Sequence, residues 1–249
     1  MNQTRFLATI AVVVCMSLLV MSCGSGGDKS AEPATDTTAA TAPDTSAMNS
    51  SEAVTAPKPF SMLIIQHKVA NFTKWKPEYE SHDSVRRASG LTNFILGRGL
   101  NDSNMVLVML LMNDVNKAKE LTSSKGMKER MQKAGVTGKP TFNFLDVISS
   151  DTSRIEQTAR LMVTHTVKDW DAWKKEFDDH KQARIDAGLL DRGVGYTDGD
   201  NHKVTIIFAV TDMQKANAFL NSKDLKEKMA KAGVEGPPSF FFYNIVQKY

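Results

Sequence analysis

Two stretches of this chain say nearly the same thing at a fixed distance: AGVTGKPTFNF from Ala134 to Phe144, and AGVEGPPSFFF from Ala232 to Phe242. The offset is 98 residues, and it holds without a gap over a much longer span. At that offset His67 meets His165, Trp75 meets Trp173, His82 meets His180, Arg86 meets Arg184 and Asp114 meets Asp212. About a third of positions 61–148 are identical to their partners, where chance would give roughly a few per cent. The chain therefore contains one unit twice, and its fold must be buildable from two such units.

Each copy reads the same way. Met62 to Lys68 is short, apolar and β-prone, the first strand. Asn71, and Asp169 in the second copy, can cap a helix. Phe72, Trp75 and Tyr79 have helical spacing, and that helix should run to about Gly90. A second strand spans roughly 93–100, and NDSN (101–104) or TDGDN (197–201) supplies the turn of a hairpin. Met105 to Met112 is a continuous apolar run, a third strand buried on both sides. Asp114 caps a further helix, with a restart at Ser124 and an apolar stripe at Met127 and Met131. Gly135 and Gly233 stand where a left-handed residue ends a helix at little cost. Pro140 and Pro238 keep the helix from resuming and start an extended segment. TFNFLDVI and SFFFYNIV form the last strand, with Phe240 to Phe242 read as buried on both faces.

The order βαββαβ is a ferredoxin-like unit. Helices cover one face of its sheet, and the other face must find a cover elsewhere. The second copy is that cover. The expected fold is α+β: tandem ferredoxin-like repeats over 60–149 and 158–249, two sheets face to face, forming an intrachain pseudodimeric α+β barrel. On this element order, on Val167, Asp169 and Trp170 around the first helix, and on the AGV-x-G-x-P closure, the chain resembles the dimeric α+β barrel superfamily, which includes antibiotic-biosynthesis monooxygenase-like domains. The resemblance covers both repeats. Members include oxygenases, isomerases, haem enzymes and proteins without known activity, so it implies a fold and leaves the function to the site.

The first part of the chain is not fold material. A short start with Arg5, an apolar run from Phe6 to Met21 and small residues around Cys23 have the layout of a secretory signal. LLVMSC (residues 18–23) resembles the lipobox of bacterial lipoproteins, which implies cleavage after residue 22 and a lipid on Cys23. Cys15, the only other cysteine, leaves with the leader, so no disulfide is available. Residues 23–59 are mostly Gly, Ser, Ala, Thr, Pro and Asp, a composition for a flexible tether reaching on the order of 30 Å. The expectation is an exported protein, lipid-anchored to the bacterial envelope; Gly24 after the cysteine suggests, by analogy with enteric sorting, the outer membrane. Net charge is +3 with no basic stripe, which argues against nucleic acid as a partner.

One group of polar residues stands out. Glu78, His82 and Arg86 are spaced four apart on the first helix, beside Trp75, and Glu176, His180 and Arg184 repeat them beside Trp173. The plain reading is a side-chain network at the core edge; the sharper one is a cleft-lining acid–base or anion-binding group, since histidine titrates near neutrality. His67 and His165 share strand parity with Leu63 and Ile65, and so either line the space between the sheets or lie in the core under the helices; the core is preferred. No metal site is expected. His82 lies some 15 Å along the helix from its start near His67, whereas zinc bonds are only about 2 Å long. The methionines of Met105 to Met112 alternate faces and read as core filler. Phosphate loops, Cys/His metal spacings and nucleophile elbows are absent. The sequence favours a small-molecule or envelope-partner binding protein with no cofactor. A monooxygenase-like or haem-associated enzyme is the first alternative, and a structural docking module the second.

Overall fold

Alternation within the first strand decides the architecture. A computed structural model describes residues 59–249. The leader, Cys23 and the tether, save Pro59, lie outside those residues. The first copy is built of β1 (Phe60–Val69), α1 (Phe72–Ser81), α2 (Asp83–Ala88), β2 (Leu91–Gly99), β3 (Met105–Met112), α3 (Val115–Ser123), α4 (Lys125–Lys133) and β4 (Val136–Ser150). The second repeats the order as β5 (Ala159–Val167), α5 (Trp170–Asp179), α6 (Lys181–Asp186), β6 (Leu189–Thr197), β7 (Asp200–Val210), α7 (Met213–Leu220), α8 (Lys223–Lys231) and β8 (Val234–Lys248). On β1, Leu63 and Ile65 pack with Trp75, Ala118 and Leu121 under the helices, while Met62 and Ile64 pack with Leu107, Met109, Leu145 and Val147 on the other side. Period-two alternation thus feeds two separate apolar layers.

The caps come from short polar residues, as their types require. Asn71 Oδ1 accepts from the Lys74 amide at 3.0 Å and Asp169 Oδ1 from the Ala172 amide at 2.7 Å. Ser124 and Ser222 cap the restarted helices α4 and α8. Gly135 and Gly233 end those helices at φ 80° and 76°. The repeated Ala-Gly-Val phrase is a helix stop.

The expected pseudodimeric barrel is present: the eight strands close into one antiparallel barrel in the order β1-β3-β2-β8-β5-β7-β6-β4. The copies join at two seams, β2 with β8 and β4 with β6. Each seam runs past a glycine, because a Cβ on Gly97 would collide with the Tyr243 ring, and one on Gly195 with the Asp146 carbonyl. Other expectations need correction. The first helix does not reach Gly90 unbroken; it stops at Ser81 and restarts at Asp83, and α5/α6 do the same around His180. The last strand starts at Val136 and Val234, before the prolines. Pro140 and Pro238 fall where the register with the neighbouring strand shifts, where a missing amide disturbs no ladder. Phe240 is 40% exposed, so that strand is not buried on both faces there.

One end of the barrel gathers the chain's crossings. Phe60 at the start of β1, the 150–153 stretch after β4, Arg160 at the start of β5 and Lys248 and Tyr249 at the end of β8 all border the barrel's internal cavity. The linker residues Asp151, Thr152 and Ser153 are exposed there, so the cavity reaches the surface at that rim.

Candidate functional site

Between helices and sheet, each copy holds a small pocket, of about 60 Å³ in the first and about 80 Å³ in the second. His67 and His165 lie in them, on the helix side of the sheet. The structure thus selects the core placement for both histidines, away from the lumen. Their rings approach Trp75 and Trp173 at 5.3 and 5.4 Å between centroids. Neither ring nitrogen of either residue has a hydrogen-bond partner. Burial without a partner disfavours the imidazolium and lowers both pKa values from 6.5 to about 4.

The four-apart stripe is divided among different tasks. Arg86 is buried; its Nη1 donates to the Tyr79 carbonyl at 2.7 Å and its Nε to Asn93 Oδ1 at 3.1 Å, with the guanidinium 3.9 Å over the Tyr79 ring. Arg184 repeats this with the Phe177 carbonyl, and grips both carboxylate oxygens of Asp191 at 2.9 and 2.6 Å. These arginines hold the carbonyls released by the helix break and tie it to β2 and β6. His82 takes the Glu78 backbone carbonyl through Nδ1 at 2.6 Å, and no bond joins it to the Glu78 carboxylate. His180 instead faces Asp224 at 3.4 Å. Glu176 pairs with Lys231, which lowers its pKa. His67 and His82 border one pocket despite the expected separation, yet no group of three or more metal-ligating side chains forms among the described residues.

The larger space is the barrel lumen, a chamber of about 240 Å³. Its first-copy wall is apolar, with Met62, Ile64, Met109 and Leu145. Its second-copy wall is not. Arg160 is 4% exposed, and its Nη1 donates only to the backbone carbonyls of Gln157 and Ala159, at 2.8 and 2.9 Å. Among the described residues no carboxylate pairs with it, and its Nε and Nη2 have no protein acceptor. Its cross-strand neighbour is Tyr243, wholly buried, whose hydroxyl has no partner. Burial raises that phenol's pKa and lowers that of Arg160, on which the nearby Arg192 also presses. Arg192 itself is paired with Asp151 at 2.8 Å.

The two copies diverge at this chamber. Met62 corresponds to Arg160, Phe94 to Arg192, and Leu145 to Tyr243. The pockets under the helices keep His, Trp, Glu, His and Arg in both copies, whereas these lumen positions differ throughout. Sequence reading had not singled out Arg160, Arg192, Asp151 or Tyr243. The available signal was a charge in the second copy where the first copy has an apolar strand residue.

No family model matches this sequence, and no curated protein matches it. Solved structures do. An anthrone oxidase-like protein superposes with a TM-score of 0.53 at 14% identity, over 76% of this chain and 92% of its own. A ferredoxin-fold protein related to antibiotic biosynthesis monooxygenases from Listeria monocytogenes gives 0.41 at 9% identity, over 76% and 96%. A heme-binding protein from Thermus thermophilus gives 0.45 at 10%, over 76% and 92%. What the anthrone oxidase-like protein shares with the chain is the fold, a pseudodimeric ferredoxin-like α+β barrel.

Proposed function

We propose that the protein is an exported, lipid-anchored binding protein that holds one small molecule per chain inside the barrel lumen. The observation that carries this reading is Arg160, a buried arginine without a carboxylate partner among the described residues, beside an orphaned Tyr243 hydroxyl in a chamber of about 240 Å³. Buried polar groups are ordinarily satisfied, and unsatisfied ones in a cavity ask for a ligand. The leader and Cys23 supply the export and the anchor. A calorimetric and thermal-shift screen of metabolites on the purified protein tests the reading. The expected outcome is sub-millimolar binding with one site per chain, weakened at least severalfold by Tyr243→Phe. Two equivalent sites per chain, or no sub-millimolar binding of any compound class, would overturn it.

A catalytic reading attaches to the twin pockets, because in each a neutral imidazole with free nitrogens faces a tryptophan. There His67 and His165 would take a proton from a substrate in monooxygenase-like chemistry, and turnover would vanish in the His67→Leu/His165→Leu double variant. The twin pockets are too small for haem: drug-sized ligands occupy sites of roughly 300 Å³ or more, against about 60 and 80 Å³ here.

A further inference from the structure

The lumen has one charged wall and one apolar wall, and the difference between them specifies a chemistry. This inference rests on the reading of the lumen as a binding chamber and deepens it. The relevant charges are few. Arg192 and Asp151 neutralise each other, and Lys248 stands exposed at the rim. Among the described residues that line the chamber, Arg160 is left as the uncompensated interior cation. The free edge of that guanidinium faces the chamber, and an anion that fits its fork would gain charge-assisted hydrogen bonds and neutralise it there. Its free edge, Nε with Nη2, offers two donors in one plane, and the hydroxyl of its cross-strand neighbour Tyr243 is a further donor without an acceptor. Planar two-oxygen acceptors match that fork; single-point acceptors use only part of it. Across the chamber, Met62, Ile64, Met109 and Leu145 offer only apolar surface.

We infer that the lumen binds a small amphipathic monocarboxylate, its carboxylate on Arg160 and Tyr243 and its apolar body against the first-copy wall. A chamber of about 240 Å³ suits a single short chain or ring and excludes a two-chain lipid. One anionic head per chain also explains why the duplication lost its symmetry here. A symmetric lumen would hold either two opposed arginines or none, whereas two copies on one polypeptide are free to supply a head-group wall and a tail wall.

An eight-carbon series tests this on the purified protein: octanoate, octanol and octylamine, with affinities by calorimetry and [1-13C]octanoate followed by NMR across pH. Octanoate is expected to bind at least tenfold more tightly than either analogue, and the bound carboxylate to stay ionised to a lower pH than the free one. Arg160→Met places in the second copy the residue that the first copy carries at this position, so the barrel accommodates it; it should cost octanoate at least tenfold and leave octanol unweakened. Tyr243→Phe keeps the ring and should cost octanoate severalfold. If octanol matches octanoate, or if Arg160→Met leaves octanoate binding and its NMR titration intact, the head-group assignment is overturned while the chamber stands. If none of the three binds below millimolar but another compound class fills the lumen, this inference alone falls. If no class binds, the chamber reading falls with it.

Discussion

His67 is buried and His165 half-buried, the ring nitrogens of both are out of water and without partners, and this has a thermodynamic consequence. Their pKa values fall from 6.5 to about 4 on folding, so between those limits the unfolded chain binds protons that the folded chain refuses. The stability these residues allow is complete above pH 6.5 and is withdrawn as the pH falls toward 4. By pH 5 the loss is about 2 kcal/mol per histidine, before carboxylates such as Asp83 and Asp102, whose pKa values are lowered by their ion pairs, add their own acid sensitivity. The His67→Leu/His165→Leu double variant should therefore keep about 4 kcal/mol that wild type loses between pH 7 and pH 5, read from urea midpoints at each pH. At pH 7 it should be no less stable than wild type, since two orphaned polar rings give way to apolar side chains. Identical pH slopes for the two proteins would refute this account.

At the scale of elements, the helix break at His82 is instructive because α1 contains Pro77 and α5 carries Lys175 in its place. Both helices break at the same residue, so the proline is not the cause. The common cause is the arginine one turn on, which takes the carbonyl of residue 79 or 177 and anchors on β2 or β6. Pro77 only removes an amide from a helix that breaks anyway. Pro77→Lys should then raise stability by about 1–3 kcal/mol, checked by thermal and urea unfolding, with the pocket unaltered. A neutral or destabilising result would mean that the proline has a task in α1. Element order, hairpins, caps and the glycine helix stops were legible in the sequence because each depends on local chemistry: Asn71 and Asp114 before apolar periodicity, Gly135 after it. The helix break was not, because it depends on Arg86 reaching Asn93, a partner on another element. Parity placed His67 on the face of Leu63 and Ile65, and the core was rightly preferred for that face. The luminal site escaped notice for a related reason. Arg160 and Tyr243 are far apart in sequence, and the pairing of β5 with β8 inside the second copy makes them neighbours.

At the scale of the whole molecule, closure makes the copies interdependent. Each four-stranded half has its luminal face buried only by the other half, and each seam lends a strand edge its partner. Unfolding should accordingly be a single transition for both copies. Fluorescence of a Trp75→Phe variant reports the second copy through Trp170 and Trp173, and that of a Trp170→Phe/Trp173→Phe variant reports the first. Coincident urea curves, allowing for each variant's own stability as read by circular dichroism, are expected; two separated steps within either variant would show the copies to be independent. The rim where the chain enters at Phe60, crosses at 150–153 and ends is also where the lumen opens. If the residues ahead of Phe60 are fastened to a lipid surface, the leash and the doorway lie on the same side. A cargo leaving the lumen would then emerge beside the point where the leash joins the barrel, within the leash's reach of the bilayer.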